Sequence, residues 1–147
     1  LVKLKELRLN NLKISFTNGC FDIIHKGHIS SLRQAKDKAD ILIVGLNSDK
    51  SVKSIKGENR PINNEKDRTE VLSGFDFIDY IVLFDEDTPY NILKQIKPDF
   101  LVKGGDYKTE EVVGREFAKN VEIIDYIDGY STSNILKKLM EKDKWLL

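Results

Sequence analysis

Two histidines, three prolines, one cysteine and one methionine are all that the 147 residues hold of those types. Each scarcity narrows the reading. With Cys20 as the sole cysteine no intramolecular disulfide exists, which suits a reducing, cytoplasmic home. A nucleophilic thiol would need a base oriented by a third group; the plainer reading makes Cys20 a small side chain packed under a glycine turn. No uninterrupted apolar run nears the roughly 20 residues of a membrane span. The opening LVKLKELRLNNLK interleaves charge with leucine, unlike the apolar core of a secretory signal. Excess charge of one sign is missing too: 24 Lys and Arg balance 24 Asp and Glu, leaving no bulk attraction for nucleic acid. The only methionine is Met140, so the chain reads either as a piece of a longer polypeptide or as one that has lost its start.

What is present describes a globular protein, 40% hydrophobic and 33% charged, long enough for one domain with a real core. Residues 1–147 are assigned to that single domain, with 1–12 as a helical lead-in. Short β-rich runs alternate with helical stretches. Strands are expected at Lys13–Thr17, Ile41–Leu46, Tyr80–Phe84, Phe100–Lys103 and Val121–Asp125. Helices are expected at Ile29–Lys38, Asn64–Ser73, Pro89–Ile96, Glu110–Lys119 and from about Thr132 to Lys142. Pro89 suits a first helical turn and Pro98 a stop. Runs such as ILIVGL are apolar on both faces, as central parallel strands are. The pattern predicts an α/β protein, a parallel sheet of about five strands with helices on both faces. Ligands of such sheets bind beyond the carboxyl ends of the strands, where TNGCFD, NSDKSVKSIKG, DEDTP and GGDY fall.

Four segments there carry candidate chemistry. In TNGCFDIIHKGH both histidines, His25 and His28, stand three apart after a strand and before a helix. A metal would need further ligands, and no third histidine exists; two idle surface histidines are the other plain reading. A third reading uses the helix start. Gly27 lets a phosphate approach the backbone, free N–H groups and the macrodipole favour an anion, and the imidazoles donate to its oxygens. The stretch DKSVKSIKGENRP holds Lys50, Lys53, Lys56 and Arg60, either a solvated loop or a mobile cationic clamp on polyphosphate. Arg68 on the following helix would add a cation from beneath or pair with Glu65. In YIDGYSTSN, Ser131 and Thr132 either cap a helix or seat an anion at its start. VKGGDY ends a strand in Lys103, Gly104 and Asp106, a plain turn or backbone pressed against a ligand.

Taken in order, these segments resemble the nucleotidyltransferase superfamily marked by an H-x-G-H signature. FTNGCFDIIHKGH, GLNSDKSVKSIKGENRPIN, DEDTPYNILKQIKPDFLVKGGDY and DGYSTSNILKKL are similar to the D-glycero-β-D-manno-heptose 1-phosphate adenylyltransferases. The likeness spans roughly Ile14 to Leu139. It implies a Rossmann-like domain that takes ATP with Mg²⁺ and a sugar 1-phosphate, releases pyrophosphate and makes ADP-heptose for lipopolysaccharide. By the same resemblance His25 and His28 hold the α-phosphate, with Lys56 as a further catalytic residue. Cys20, Phe21, Gly27, Lys103, Gly104, Asp106, Ser131 and Thr132 line the nucleotide, Lys53 and Arg60 meet the substrate phosphate, and Mg²⁺ is bound through the triphosphate rather than by protein ligands. Tyr126 and Ile127 stand where related cytidylyltransferases carry arginine and threonine, and Cys20 where they carry threonine. A cytidylyltransferase for glycerol 3-phosphate and a non-catalytic nucleotide-binding module are the alternatives. Fusion behind a sugar kinase, a stand-alone enzyme and a homo-oligomer are all compatible with the chain.

Overall fold

The computed structural model describes residues 2–125 and 129–142. Five strands, β1 (Ile14–Gly19), β2 (Ile41–Asn47), β3 (Tyr80–Phe84), β4 (Phe100–Gly104) and β5 (Asn120–Ile124), form one parallel sheet in the order β3-β2-β1-β4-β5. Ile14 pairs with Ile41 across β1 and β2, and Ser15 with Phe100 across β1 and β4. The chain builds outward from β1 to β3, then crosses back to the other side of β1 to lay down β4. That reversal puts the switch point between β1 and β4, where the two carboxyl ends part and a crevice opens.

Alternation along the strands explains why both faces are covered. Leu42, Val44 and Leu46 of β2 point with Val102 and Ile124 to one face, against Leu32 and Ala35 of α2 (Lys26–Lys36) and Leu72 of α4 (Glu65–Ser73). Ile14, Phe16, Ile43 and Leu101 point to the other, against Leu7 of α1 (Val2–Leu9) and Leu93 and Ile96 of α5 (Tyr90–Ile96). The lead-in helix is pinned at the amino end of the sheet. There Asp99 accepts from Arg8 at 2.6 Å, from the Ile14 amide at 2.8 Å and from Lys119 at 2.7 Å. Burial pushes the Asp99 carboxyl up, but these donors outweigh it and leave its pKa at about 2.

Local expectations fail at identifiable places. The basic stretch expected as a mobile loop is helix α3 (Asp49–Lys56). Ser48 caps it by accepting from the Ser51 amide at 3.2 Å, and the buried Val52 anchors its inner face, so the lysines are its outer side. The expected helix Glu110–Lys119 is two short 3₁₀ turns, Thr109–Glu111 and Arg115–Phe117. Gly114 parts them at φ +81°, and a Cβ there would stand 2.4 Å from Leu93 Cδ1. The helix expected from Ile29 begins at Lys26, three residues earlier. Pro89 lies one residue ahead of α5 rather than in its first turn, and β1 runs on through Asn18 to Gly19.

Candidate functional site

Helix α2 starts at Lys26, with extended His25 as its N-cap and His28 in its first turn. The capping geometry sets the chemistry of the pair. His28 Nδ1 accepts from the His25 amide at 3.4 Å, which leaves the proton of a neutral His28 on Nε2. The two rings stack with centroids 3.9 Å apart and 26° between planes. Burial, and then the neighbouring His25, lower the His28 pKa to about 4; burial alone lowers that of His25. Both imidazoles are therefore neutral donors near pH 7. His25 Nδ1 is buried without a hydrogen-bond partner, an orphaned polar atom of the kind expected where a ligand completes the site. The first amides of α2 have no partner within the helix and add N–H groups at the same point. Gly27 leaves little room for a side chain here: a Cβ would lie 3.0 Å from the His25 ring and 3.3 Å from Tyr130 Cβ.

The start of α6 (Thr132–Lys142) docks beside the histidines. Thr132 Oγ1 donates to the Ile23 carbonyl at 3.1 Å, and Ser131 Oγ accepts from the Asn134 amide at 3.0 Å. Ser131 is thus the helix cap. Tyr130, which the sequence reading did not single out, places its ring 6.4 Å from His25 and under Lys26. Tyr126 and Ile127 lie outside the described residues.

The turn after β1 is fastened to the segment before α4 by two buried charged groups. The Asp22 carboxylate accepts from Arg60 Nε, from the Ile62 amide at 2.8 Å and from the Asn63 amide at 2.8 Å. Burial opposes ionisation of Asp22, yet these bonds hold its pKa below the ordinary value. Arg68, 1% exposed, donates to the carbonyls of Cys20, Asn47 and Asn63 and to the Asp49 carboxylate. It joins the ends of β1 and β2 to the first turn of α3. Arg68 is neither a ligand cation nor the partner of Glu65, which instead accepts from the Asp49 amide. Nothing in its sequence neighbourhood signals this, because the carbonyls of Cys20 and Asn47 and the Asp49 carboxylate lie 48, 21 and 19 residues away.

The other expected site residues divide. Lys53 and Lys56 are exposed in the last turn of α3. Arg60 is occupied by Asp22 at 2.8 Å. Cys20 is half-buried, and burial pushes its thiol pKa up despite Lys56, Arg68 and Arg60 nearby, which argues against a nucleophile. The Phe21 ring is buried in the core, 5.4 Å from the His28 ring. Lys103 and Gly104 lie half-buried at the end of β4, with Asp106 exposed beyond them. Among the described residues no three His, Cys, Asp or Glu side chains converge as metal ligands.

The family described as cytidylyltransferase-like matches residues 16–138. The bifunctional protein HldE of Campylobacter curvus is 56% identical over 132 residues, 90% of this chain and 28% of that protein. HldE of Campylobacter jejuni subsp. jejuni is 55% identical over 136 residues, 92% of this chain and 30% of that protein. The chain therefore spans less than a third of the length of these relatives. Among solved structures, the lipopolysaccharide core biosynthesis protein from Thermoplasma volcanium superposes with a TM-score of 0.66 at 26% identity, covering 82% of this chain and 99% of that one. Pantoate-beta-alanine ligase from Francisella tularensis shares the fold at a TM-score of 0.60 and 19% identity, over 90% of this chain and 66% of that one. With its stacked histidines at the switch-point helix and a family match over residues 16–138, the chain belongs to the cytidylyltransferase-like family.

Proposed function

We propose that this chain is an adenylyltransferase that joins the AMP moiety of ATP to a heptose 1-phosphate, giving ADP-heptose and pyrophosphate, as one activity of a longer bifunctional protein. The observation that carries the reading is the pair of neutral, stacked imidazoles at the start of α2, with one buried nitrogen left without a partner. Its support is the family match, the HldE relatives and the adenylyltransferase resemblance of the four loop segments.

The chemistry asks little of the protein beyond alignment and charge. A sugar phosphate is already an anion near pH 7, so it attacks the α-phosphate without a general base. Charge then grows on the non-bridging oxygens of the five-coordinate phosphorus. His28, with its proton on Nε2, and His25 donate to those oxygens, which preorganised donors stabilise more in the transition state than in the ground state. The amides opening α6 behind Ser131 and Thr132 hold the β- and γ-phosphates, and Lys56 lies on the other side of the turn. ATP enters as its Mg²⁺ complex. The residues present fit a metal carried by the substrate, since Asp22, the carboxylate of the turn, already has its oxygens taken by Arg60, Ile62 and Asn63. Mg²⁺ held by the triphosphate would keep most of its waters and supply charge neutralisation.

Pyrophosphate release measured with four nucleoside triphosphates against a panel of sugar phosphates tests the reading. ATP with a heptose 1-phosphate is expected to be the best pair. If CTP with glycerol 3-phosphate proves better by about tenfold, some 1.4 kcal/mol of transition-state preference, the protein is a cytidylyltransferase instead.

A further inference from the structure

Among the described residues, Lys103 is the half-buried cation without an acidic partner. It sits at the carboxyl end of β4, beside β1 and so at the switch point of the sheet. Its Nζ lies 3.4 Å from Asn18 Oδ1 and 5.6 Å from the Tyr107 ring centroid. Among the described residues it forms no ion pair, whereas Arg60 is tied to Asp22 and Arg68 to Asp49. A desolvated ammonium beside a neutral amide is costly, and an anion relieves that cost. Burial does lower the Lys103 pKa.

Resting on the adenylyltransferase reading, we propose that Lys103 and Asn18 form the seat for the phosphate of the incoming sugar 1-phosphate, rather than a contact to adenine or ribose. A neutral base or ribose gives an ammonium no opposite charge; a phosphomonoester does, and the ammonium has two further N–H groups to offer it. The triphosphate has its own donors at the starts of α2 and α6, which are joined to each other through Thr132 and Ile23. In-line displacement requires the attacking oxygen on the side of the α-phosphorus away from the departing pyrophosphate. Lys103 stands at the end of β4, a different element from the starts of α2 and α6 that carry His25 and Thr132. Asn18 holds the ammonium in place through its carbonyl oxygen.

Lys103→Met keeps the length of the side chain and removes the charge; Asn18→Asp supplies an internal carboxylate that competes with the ligand. Both variants are compared with the native protein for KM of heptose 1-phosphate, Kd of ATP by calorimetry, and Tm. The expected result is a KM for the sugar phosphate raised by at least about tenfold, one charge-assisted contact, with ATP affinity within about twofold and Tm of Lys103→Met not lowered. Weakened ATP binding with the sugar-phosphate KM unchanged, or a lowered Tm alone, overturns the proposal. If the native protein turns over no sugar phosphate, the adenylyltransferase reading falls by itself. Inorganic phosphate titrated into native protein and Lys103→Met then decides the seat: binding weakened by about tenfold upholds it, and equal binding overturns it.

Discussion

His25 and His28 stack as a pair, ring centroids 3.9 Å apart, with the Nδ1 of one orphaned and the Nδ1 of the other bonded to its neighbour's amide. A pair so arranged offers two N–H donors to one anion without two positive charges having to coexist. Replacing either with alanine is expected to lower kcat by about 10²-fold or more, the scale of one transition-state donor. The Kd for nucleotide should change far less. Single-turnover kinetics with an intact circular dichroism spectrum checks this, and full turnover in either variant would move the site elsewhere.

The same pair makes stability depend on pH. An unfolded histidine takes a proton near pH 6.5, whereas folded His28 resists until about 4. Between those values the unfolded chain binds more protons, so stability is full above 6.5 and falls as pH drops toward 4. The shift corresponds to at most roughly 3 kcal/mol. The lowered carboxyls, Asp99 and Asp22, begin to cost stability only below 3.8, which separates the two effects. Urea midpoints at pH 7 and 4.5 should differ clearly for the native protein and much less for His28→Gln.

Arg68 holds three carbonyls and a carboxylate from a site 1% exposed. Lysine carries the charge but not the planar fork, so Arg68→Lys leaves buried acceptors unpaired. A loss of about 3 kcal/mol is expected, read as a lower urea midpoint with an unchanged slope. Thermal stability equal to the native protein would show that the guanidinium is dispensable.

Lys56 closes α3 on the side of the β1 turn, close enough to lower the Cys20 thiol pKa against burial. Lys50 lies in the first turn of the same helix and has no such link. Lys56→Ala should therefore reduce kcat/KM strongly, by about tenfold or more if one charge-assisted contact is lost, and Lys50→Ala should hardly change it. Equal losses in both would mean a diffuse field rather than a contact.

Position in the chain and the pattern of apolar residues are local properties, so all five strands were legible to within a residue or two at their ends. The histidines were legible as a pair at a helix start for the same reason: capping is a matter of neighbours three residues apart. Helix α3 was misread as a loop because its five lysine and serine positions dominate the pattern. What holds it helical is Ser48 below and one buried Val52 within. The turns in place of the helix after β4 come from Gly114 meeting Leu93, a contact between segments about twenty residues apart.

Sequence by itself determined the parallel α/β architecture, the order of its loops at one end of the sheet, and the polar and charged residue types they carry. Periodicity, caps and glycines act within a few residues, and that range suffices for those conclusions. Only the tertiary structure decided which of the charged groups remain for a ligand. It consumed Arg60 on Asp22 and Arg68 on backbone carbonyls, turned Phe21 into the core, and left Lys103 beside Asn18 without a counter-charge among the described residues. Such assignments depend on distance through space and on desolvation, which segments 21 to 85 residues apart in the chain settle only when the sheet has brought them together.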